Sequence, residues 1–423
     1  MWLRVIIWFL LSFESLRARV TRGIRADLLQ TLMAHHIFEI LKILSALGAA
    51  ASICYYGLCI WSAAAFLREE KKSDKSARST QLFSPISILK PLKGTDQEIY
   101  ENLRSHCVQD YPEYEIIFGA SEADDPALEL VKQLKQEFPR HAIRMLVCEQ
   151  KLGANVKVSN LAQMAREARY EIFVISDSDI RVPPDYLSHV VSPLTDKNVA
   201  LVTCLYRGVP SGTLGSRLES LGIGTDFIPG VLAARAIERG IRFGLGSTLA
   251  FRRQDLAAIG GFESFADYLA DDYELGRRIA ALGRAVKLSD VVVETFLPRY
   301  NMRQFFQHQL RWARTIRDAR PLGHFGLILT FGLPWALITL VFSHGASWAW
   351  ALLAAVFAMR IGITFAVGRE ALRDRQALAM TPLLPLRDIL ALLVWISSFC
   401  SRTVVWRGVR FRLKNGKLQE LSR

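Results

Sequence analysis

Apolar residues fall along this chain in blocks of two kinds: long uninterrupted runs, and short runs that alternate with helical patterns. Ile43 to Leu67 is a 25-residue stretch without a charge. A bilayer span needs about 20 residues, so this stretch predicts a transmembrane helix. The basic residues that follow (Arg68, Lys71, Lys72, Lys75 and Arg78) predict a polar tether on the cytoplasmic side. Pro321 to Met359 is 39 residues without Asp, Glu, Lys or Arg. It divides at Ser343–Ser347, which predicts two helices joined by a tight outer turn. Arg360 lies near enough to the end of the second to snorkel to the interface.

A third apolar stretch, Asp388 to Trp406, has only 13 charge-free residues, Ile389 to Ser401. From Ser401 onward the chain carries seven Lys/Arg against one Glu, which predicts a cytoplasmic C-terminal tail. The third stretch is then re-entrant or interfacial, or else a span that violates the positive-inside rule. Residues 5–13 form a nine-residue apolar run after Arg4. They read as an interfacial helix or as an upstream extension, with Met33 as the true start.

Between about residues 80 and 298 the period changes. Ile86–Leu89, Glu115–Phe118, Ile143–Val147, Ile172–Ile175 and Val199–Thr203 read as strands. Asp96–Val108 (behind a Thr95-x-x-Glu98 capping box), Ala127–Phe138 and Val156–Ala168 read as helices. Such alternation predicts an α/β domain with an open, mostly parallel sheet, which binds ligands beyond the carboxyl ends of its strands. No GxGxxG or P-loop accompanies it, which removes support for dinucleotide and NTPase readings. The predicted division is 1–42 extension, 43–67 transmembrane helix, 68–84 tether, 85–298 catalytic domain, 299–320 amphipathic interfacial helix, 321–406 membrane helices and 407–423 basic tail.

Composition narrows the class. The 423 residues are 51% hydrophobic yet 22% charged, with mean hydropathy +0.19, which fits a water-soluble domain joined to membrane segments. The net charge of +13 concentrates near the apolar runs and suits an anionic bilayer surface, not nucleic acid. Disordered, collagenous and disulfide-scaffold classes are excluded. Six cysteines without a CxxC pair argue against a zinc site and for a domain facing a reducing cytosol.

Four clusters carry chemistry. Asp177-Ser178-Asp179 follows a strand, and two carboxylates so spaced can grip a divalent cation whose shell is completed by phosphates. The plainer reading is a solvated turn. Asp124-Asp125-Pro126 has a strong structural reading, with Asp125 as N-cap and Pro126 at N1. Asp271-Asp272 precedes a helical pattern, Tyr273–Leu282, where a carboxylate either caps the helix or stays ionised as a proton acceptor. Arg299–Arg320 carries six Arg and one Asp on an amphipathic pattern. An interfacial helix is the default, and within it His308-Gln309-Leu310-Arg311-Trp312 reads in isolation as membrane anchoring.

In this order, the clusters resemble the processive-synthase-like inverting glycosyltransferases of GT-A fold, and more narrowly the ceramide glucosyltransferase family. Ile88–Gly94, Asp110-Tyr111-Pro112, Ala154–Leu161 and Val405-Trp406-Arg407-Gly408 strengthen the resemblance, which covers roughly residues 85 to 415. Leu245–Thr248 and the HQLRW sequence look closest to a bacterial hopanoid-biosynthesis branch. The resemblance implies Asp272 as general base, Asp177 and Asp179 at a metal and diphosphate site, and Asp125 near the nucleotide. It places Lys90, Lys157, His308, Gln309, Arg311 and Trp312 in the substrate- and nucleotide-binding set. His308 stands where the family pattern has Gln or Arg. The implied cofactor is Mg²⁺ or Mn²⁺, with a UDP-sugar donor and a membrane lipid acceptor of ceramide or hopanoid type. The implied location is a bacterial inner membrane with a cytosolic catalytic domain. A polysaccharide synthase and a non-catalytic membrane scaffold are the rival readings.

Overall fold

The computed structural model describes residues 33, 35–70, 84–406 and 408–421. The expected N-terminal interfacial segment and most of the tether lie outside the described residues. The first helix, α1 (His35–Glu70), is long and apolar enough to cross a bilayer.

The α/β domain then alternates β1 (Ile86–Pro91), α2 (Ile99–Ser105), β2 (Tyr114–Ala120), α3 (Ala127–Glu137), β3 (Ala142–Val147), α4 (Val156–Glu167) and β4 (Ile172–Ile175). These strands lie at the predicted places. β1 and β4 are buried along their whole length, as expected of parallel strands covered on both faces. The chain continues through β5 (Ile180–Arg181), α5 (Tyr186–Val191), β6 (Val199–Val209), α6 (Leu214–Gly222), a π-helical turn at Ile223–Phe227 and α7 (Ile228–Glu238). It closes with β7 (Leu249–Arg252), α8 (Arg253–Ala258), α9 (Asp271–Ala281) and β8 (Ala285–Phe296). The eight strands form one mostly parallel sheet in the order β3-β2-β1-β4-β7-β6-β8-β5, with β7 antiparallel between β4 and β6. Leu89 pairs with Ile175, and Ile175 with Leu249. That register sets Lys90, Ser176 and the Gly246–Thr248 turn side by side at one end of the sheet.

The predicted capping box does not form. Glu98 adopts φ 68° and gives helix α2 no side-chain cap; its carboxylate accepts from Arg181 Nη2 at 3.0 Å instead.

Helix α10 (Met302–Ala319) starts with a true capping box between Asn301 and Gln304. Beyond it come α11 (Pro321–Gly326), α12 (Gly332–Phe342), α13 (Ser347–Ile363) and α14 (Leu384–Ser398). The first predicted helix of this block is broken: Pro321–Thr330 and Gly332–Phe342 meet at 51°. Among the described residues three helices are long and apolar enough to cross a bilayer, or four if this bent pair counts as one. The turn at Ser343–Ser347 is present, with positive φ at His344 and Gly345. The third stretch divides: Asp388–Ser398 belongs to a 21-residue helical segment, Leu378–Ser398, that passes the same test, whereas Thr403–Trp406 forms a strand and is not part of a membrane helix.

Arg360 does not snorkel. It is 2% exposed, and its Nη2 sits 2.5 Å from Asp388 and 2.8 Å from Asp226. Two carboxylates from distant segments hold the charge inside, where reaching solvent is unnecessary.

The segment expected as a basic tail forms strands. β9 (Thr403–Trp406), β10 (Val409–Lys414) and β11 (Lys417–Glu420) make an antiparallel sheet. Its apolar face, with Val404, Phe411, Leu413 and Leu418, packs on Leu269 of the α/β domain. Leu418 N–H donates to Asp267 O at 2.7 Å and Leu269 N–H to Gly416 O at 3.2 Å.

Candidate functional site

Beyond the carboxyl end of β4 the chain turns through Asp177-Ser178-Asp179, and four elements converge on it. From β1, the fully buried Lys90 donates to Ser176 Oγ at 2.9 Å and to the Asp177 carbonyl at 2.7 Å. Burial pushes its ammonium down to about 7, with the Asp177 and Asp179 charges opposing. His106 Nε2 also meets Ser176 Oγ, at 3.0 Å. From the first turn of α4, Lys157 Nζ lies 2.7 Å from Asp177 Oδ1 and 3.1 Å from Asp271 Oδ2. Burial works against its charge, but Asp177 and Asp271 more than offset this and hold its pKa above the ordinary lysine value. Asn155 caps α4 by accepting from Val158 N–H and so fixes where Lys157 projects.

Asp271 and Asp272 occupy the first turn of α9. The helix begins at Asp271, with Ala270 as the flanking residue and no side-chain cap, so neither aspartate is the predicted N-cap. Asp272 Oδ1 accepts from Tyr273 N–H at 2.7 Å. Its other oxygen faces Gly246: a β-carbon there would lie 3.2 Å from both Asp272 Oδ2 and Asp177 Oδ2. Only glycine leaves this gap open between two carboxylates, one from the turn after β4 and one from the first turn of α9. Burial, then the Asp271 charge, push Asp272 up to about 6. Asp179 is likewise raised to about 6, by burial and then by Asp177, and its Oδ2 accepts from Thr295 at 2.8 Å.

Carboxylates crowded and buried in this way favour a cation or a proton between them. Among the described residues no group of three His, Cys, Asp or Glu could hold a metal by itself. Asp177 and Asp179 supply two carboxylates at this turn, with Asp177 Oδ1 paired to Lys157 and Asp179 Oδ2 accepting from Thr295; a cation there would have to take its remaining ligands from phosphates and water.

Asp125 belongs to the neighbouring strand exit. Both its oxygens lie 3.0 Å from Gly94 N, and Oδ1 also accepts from Ala127 N–H at 2.9 Å. Pro126 flanks α3 and gives it no side-chain cap; Asp125, the expected N-cap, sits one position earlier, where it accepts from the first helical N–H and ties down the loop after β1.

The HQLRW residues divide. His308 Nδ1 lies 3.1 Å from Glu219, a buried carboxylate of α6. Its ring stacks on Tyr300 at 5.4 Å and contacts Trp312 at 5.2 Å. Trp312 continues to Phe227 at 6.0 Å and Phe227 to Tyr206 at 5.7 Å. Burial, then Asp272, push the Tyr206 phenol well up, with Glu219, Asp179 and Asp177 contributing. Tyr206 thus lies within electrostatic reach of all four carboxylates, at the end of the aromatic series. Arg311 acts on Tyr300, where burial and Glu219 raise the phenol and the arginine charge opposes them. Gln309 turns the other way, its Oε1 accepting from Arg387 Nη2 at 3.3 Å. Glu219, Tyr206, Thr295 and Arg387 were not singled out from sequence. Each stands outside the four clusters that carry a recognisable spacing, and their partners lie far away in the chain.

A profile of Glycosyl transferase family 21 matches residues 44–419. Ceramide glucosyltransferase 3 of Caenorhabditis elegans is 26% identical over 349 residues, covering 78% of this chain and 73% of that protein. Ceramide glucosyltransferase 1 of the same organism is 26% identical over 259 residues, 59% of this chain and 55% of that protein. Among solved structures, a mannosyltransferase from Pyrobaculum calidifontis in complex with GDP-Man and Mn²⁺ is similar at 19% identity and TM-score 0.47. That match covers 84% of this chain and 99% of the mannosyltransferase.

Proposed function

This chain belongs to Glycosyl transferase family 21, and on that premise we propose that it transfers a hexose, glucose or N-acetylglucosamine, from a UDP-sugar to a lipid hydroxyl with inversion. The observation that carries the reading is the pair of carboxylate oxygens, on Asp177 and Asp272, that both lie 3.2 Å from where a β-carbon on Gly246 would be. One belongs to the strand exit suited to a diphosphate, the other to a helix N-terminus suited to a proton acceptor.

In this mechanism Asp272 takes the proton of the acceptor hydroxyl as that oxygen attacks the anomeric carbon from the face opposite UDP. The C1–O bond to UDP breaks, through an oxocarbenium-like transition state. A helix N-terminus and the nearby Lys157 favour the ionised carboxylate, while burial keeps its pKa high enough to accept a proton. Asp177 and Asp179 would hold Mg²⁺ or Mn²⁺, which would supply charge neutralisation to the departing diphosphate. Lys157 orients Asp177, and Lys90 fixes the backbone of the same turn. The aromatic series from Tyr300 to Tyr206 supplies an apolar wall beside which a lipid alcohol can reach Asp272. Arg311 adds positive charge next to it.

The apolar helices support a multi-pass membrane protein. We assign the catalytic domain to the cytosolic face of a bacterial inner membrane, with the Ser343–Ser347 turn opposite. The test is incubation of the purified full-length chain with labelled UDP-glucose or UDP-N-acetylglucosamine and either ceramide, a hopanoid alcohol or total bacterial lipid. A discrete labelled glycolipid supports the proposal and identifies sugar and acceptor. A polymer, or no product with any pair, overturns it.

A further inference from the structure

Where α14 ends, the chain leaves a cleft of about 600 Å³ that the transfer chemistry does not use. Arg317 from the last turns of α10, Arg402 from the link after α14 and Arg412 from β10 all line it, together with Phe399 and Leu421. Arg317 is anchored, donating to the carbonyls of Ser398 and Ser401, the latter at 2.9 Å. Arg314, one turn earlier, donates to Thr403 O at 2.6 Å and keeps a buried Nε with no hydrogen-bond partner among the described residues. None of these four guanidinium groups forms an ion pair among the described residues. Burial and then the Arg402 charge lower the Arg317 pKa, with only Asp318 opposing. Arg314 is lowered by burial and then by Arg317. Among the described residues, like charges are thus held together with no carboxylate paired to them.

The surroundings say what kind of anion fits. Ile389, Leu393, Ile396 and Phe399 are 42–49% exposed, and their spacing places them along one side of α14, ending at the cleft. An apolar stripe on a membrane helix that runs into an arginine cluster matches a molecule with an acyl chain and a phosphate. Arginine suits the phosphate through its planar fork of donors.

We propose that this cleft binds the headgroup phosphate of an acidic phospholipid, with an acyl chain along the α14 stripe. Its occupant neutralises the Arg317/Arg402 repulsion. It also clamps α10, which carries His308 to Trp312, to the end of α14 and to the β9–β11 sheet. Nothing in this assignment depends on which sugar or acceptor the enzyme uses.

The test uses the full chain in detergent, with melting temperature and binding of a fluorescent short-chain phosphatidylglycerol as readouts. Arg402→Gln/Arg412→Gln leaves the anchored Arg314 and Arg317 in place and so preserves the fold. Phosphatidylglycerol is expected to raise the melting temperature of the wild type, while phosphatidylcholine and inorganic phosphate do not. The double variant is expected to bind roughly thirty-fold more weakly, about fivefold per arginine, and to lose the shift. Lys132→Gln/Lys135→Gln on exposed α3 removes the same charge elsewhere and is expected to keep it. Equal stabilisation by phosphatidylcholine, an undiminished shift in the cleft variant, or an equal loss in the α3 variant overturns the site. A shift produced by inorganic phosphate alone overturns the lipid assignment.

Discussion

Replacing Asp272 by Asn separates a catalytic base from a helix-terminal structural carboxylate, because the two roles predict opposite signs for stability. The Asp272 carboxyl is raised from 3.8 to about 6, first by burial and then by Asp271. Two units correspond to about 3 kcal/mol against the ionised form, and partial solvent access reduces this to ~1–2 kcal/mol. A raised carboxylate pKa means the folded state binds the proton more tightly than the unfolded chain. The penalty is absent below about pH 3.8 and complete above about pH 6. Asn keeps the acceptor for Tyr273 N–H and removes the charge. The variant should therefore melt at the wild-type temperature or a few degrees higher at pH 7.5 without divalent cations, and gain nothing near pH 4. Turnover should fall by roughly 10²–10⁴, the usual cost of losing a general base, with donor binding retained. Asp271→Asn is the informative comparison. The neighbour does not point away from the cluster; its Oδ2 shares Lys157 with Asp177, so its loss should lower the melting temperature and weaken donor binding. The assays are glycolipid formation from labelled UDP-sugar and thermal melts of the purified chain. If Asp272→Asn keeps most of its turnover while Asp271→Asn abolishes it, the base has been assigned to the wrong carboxylate.

Four further outcomes are expected. Activity should be lost on EDTA treatment, return with Mg²⁺ or Mn²⁺, and be lost in Asp177→Asn; turnover unaffected by both treatments ends the metal assignment. The profile of kcat/KM against pH should fall about tenfold per unit below about pH 6, since Asp272 there carries the proton it must accept; a flat profile down to pH 5 contradicts it. Gly246→Ala would put a β-carbon 3.2 Å from two carboxylate oxygens, and should cut kcat at least about tenfold with little change in melting; wild-type kcat means the gap is not used. In a background with the exposed Cys54 and Cys400 changed to Ser, Gly345→Cys should label in intact cells whose outer membrane is permeabilised. Labelling only after inner-membrane rupture reverses the orientation.

The strand positions and the carboxylate turn after β4 were readable because burial on both faces leaves continuous apolar runs. What sequence could not supply was long-range pairing. β7 enters the sheet antiparallel between β4 and β6, and only that register brings Gly246 to Asp177. Arg360 meets Asp226 and Asp388, partners 134 and 28 residues away, so a lone charge in an apolar run read as interfacial. Glu98 had the spacing of a capping box, but Arg181 took its carboxylate. In β10 the alternation was present, with Phe411 and Leu413 buried and Arg410, Arg412 and Lys414 exposed. The density of positive charge hid it.

The sheet β9–β11 also sets an order of events in the cell. Leu418 and Gly416 bond to Asp267 and Leu269, immediately before the helix that bears Asp271 and Asp272. These late strands are made about 150 residues after the segment they support. At translation rates of 5–20 residues per second that is a delay of roughly 7–30 s. During it, the apolar segments from Pro321 to Ser398 emerge and must find the bilayer. Helix α9 therefore gains these neighbours only after those apolar segments have been made. Nascent chains stalled before β9 should hold an unfinished, inactive site, which keeps sugar transfer from starting before the enzyme has reached its membrane.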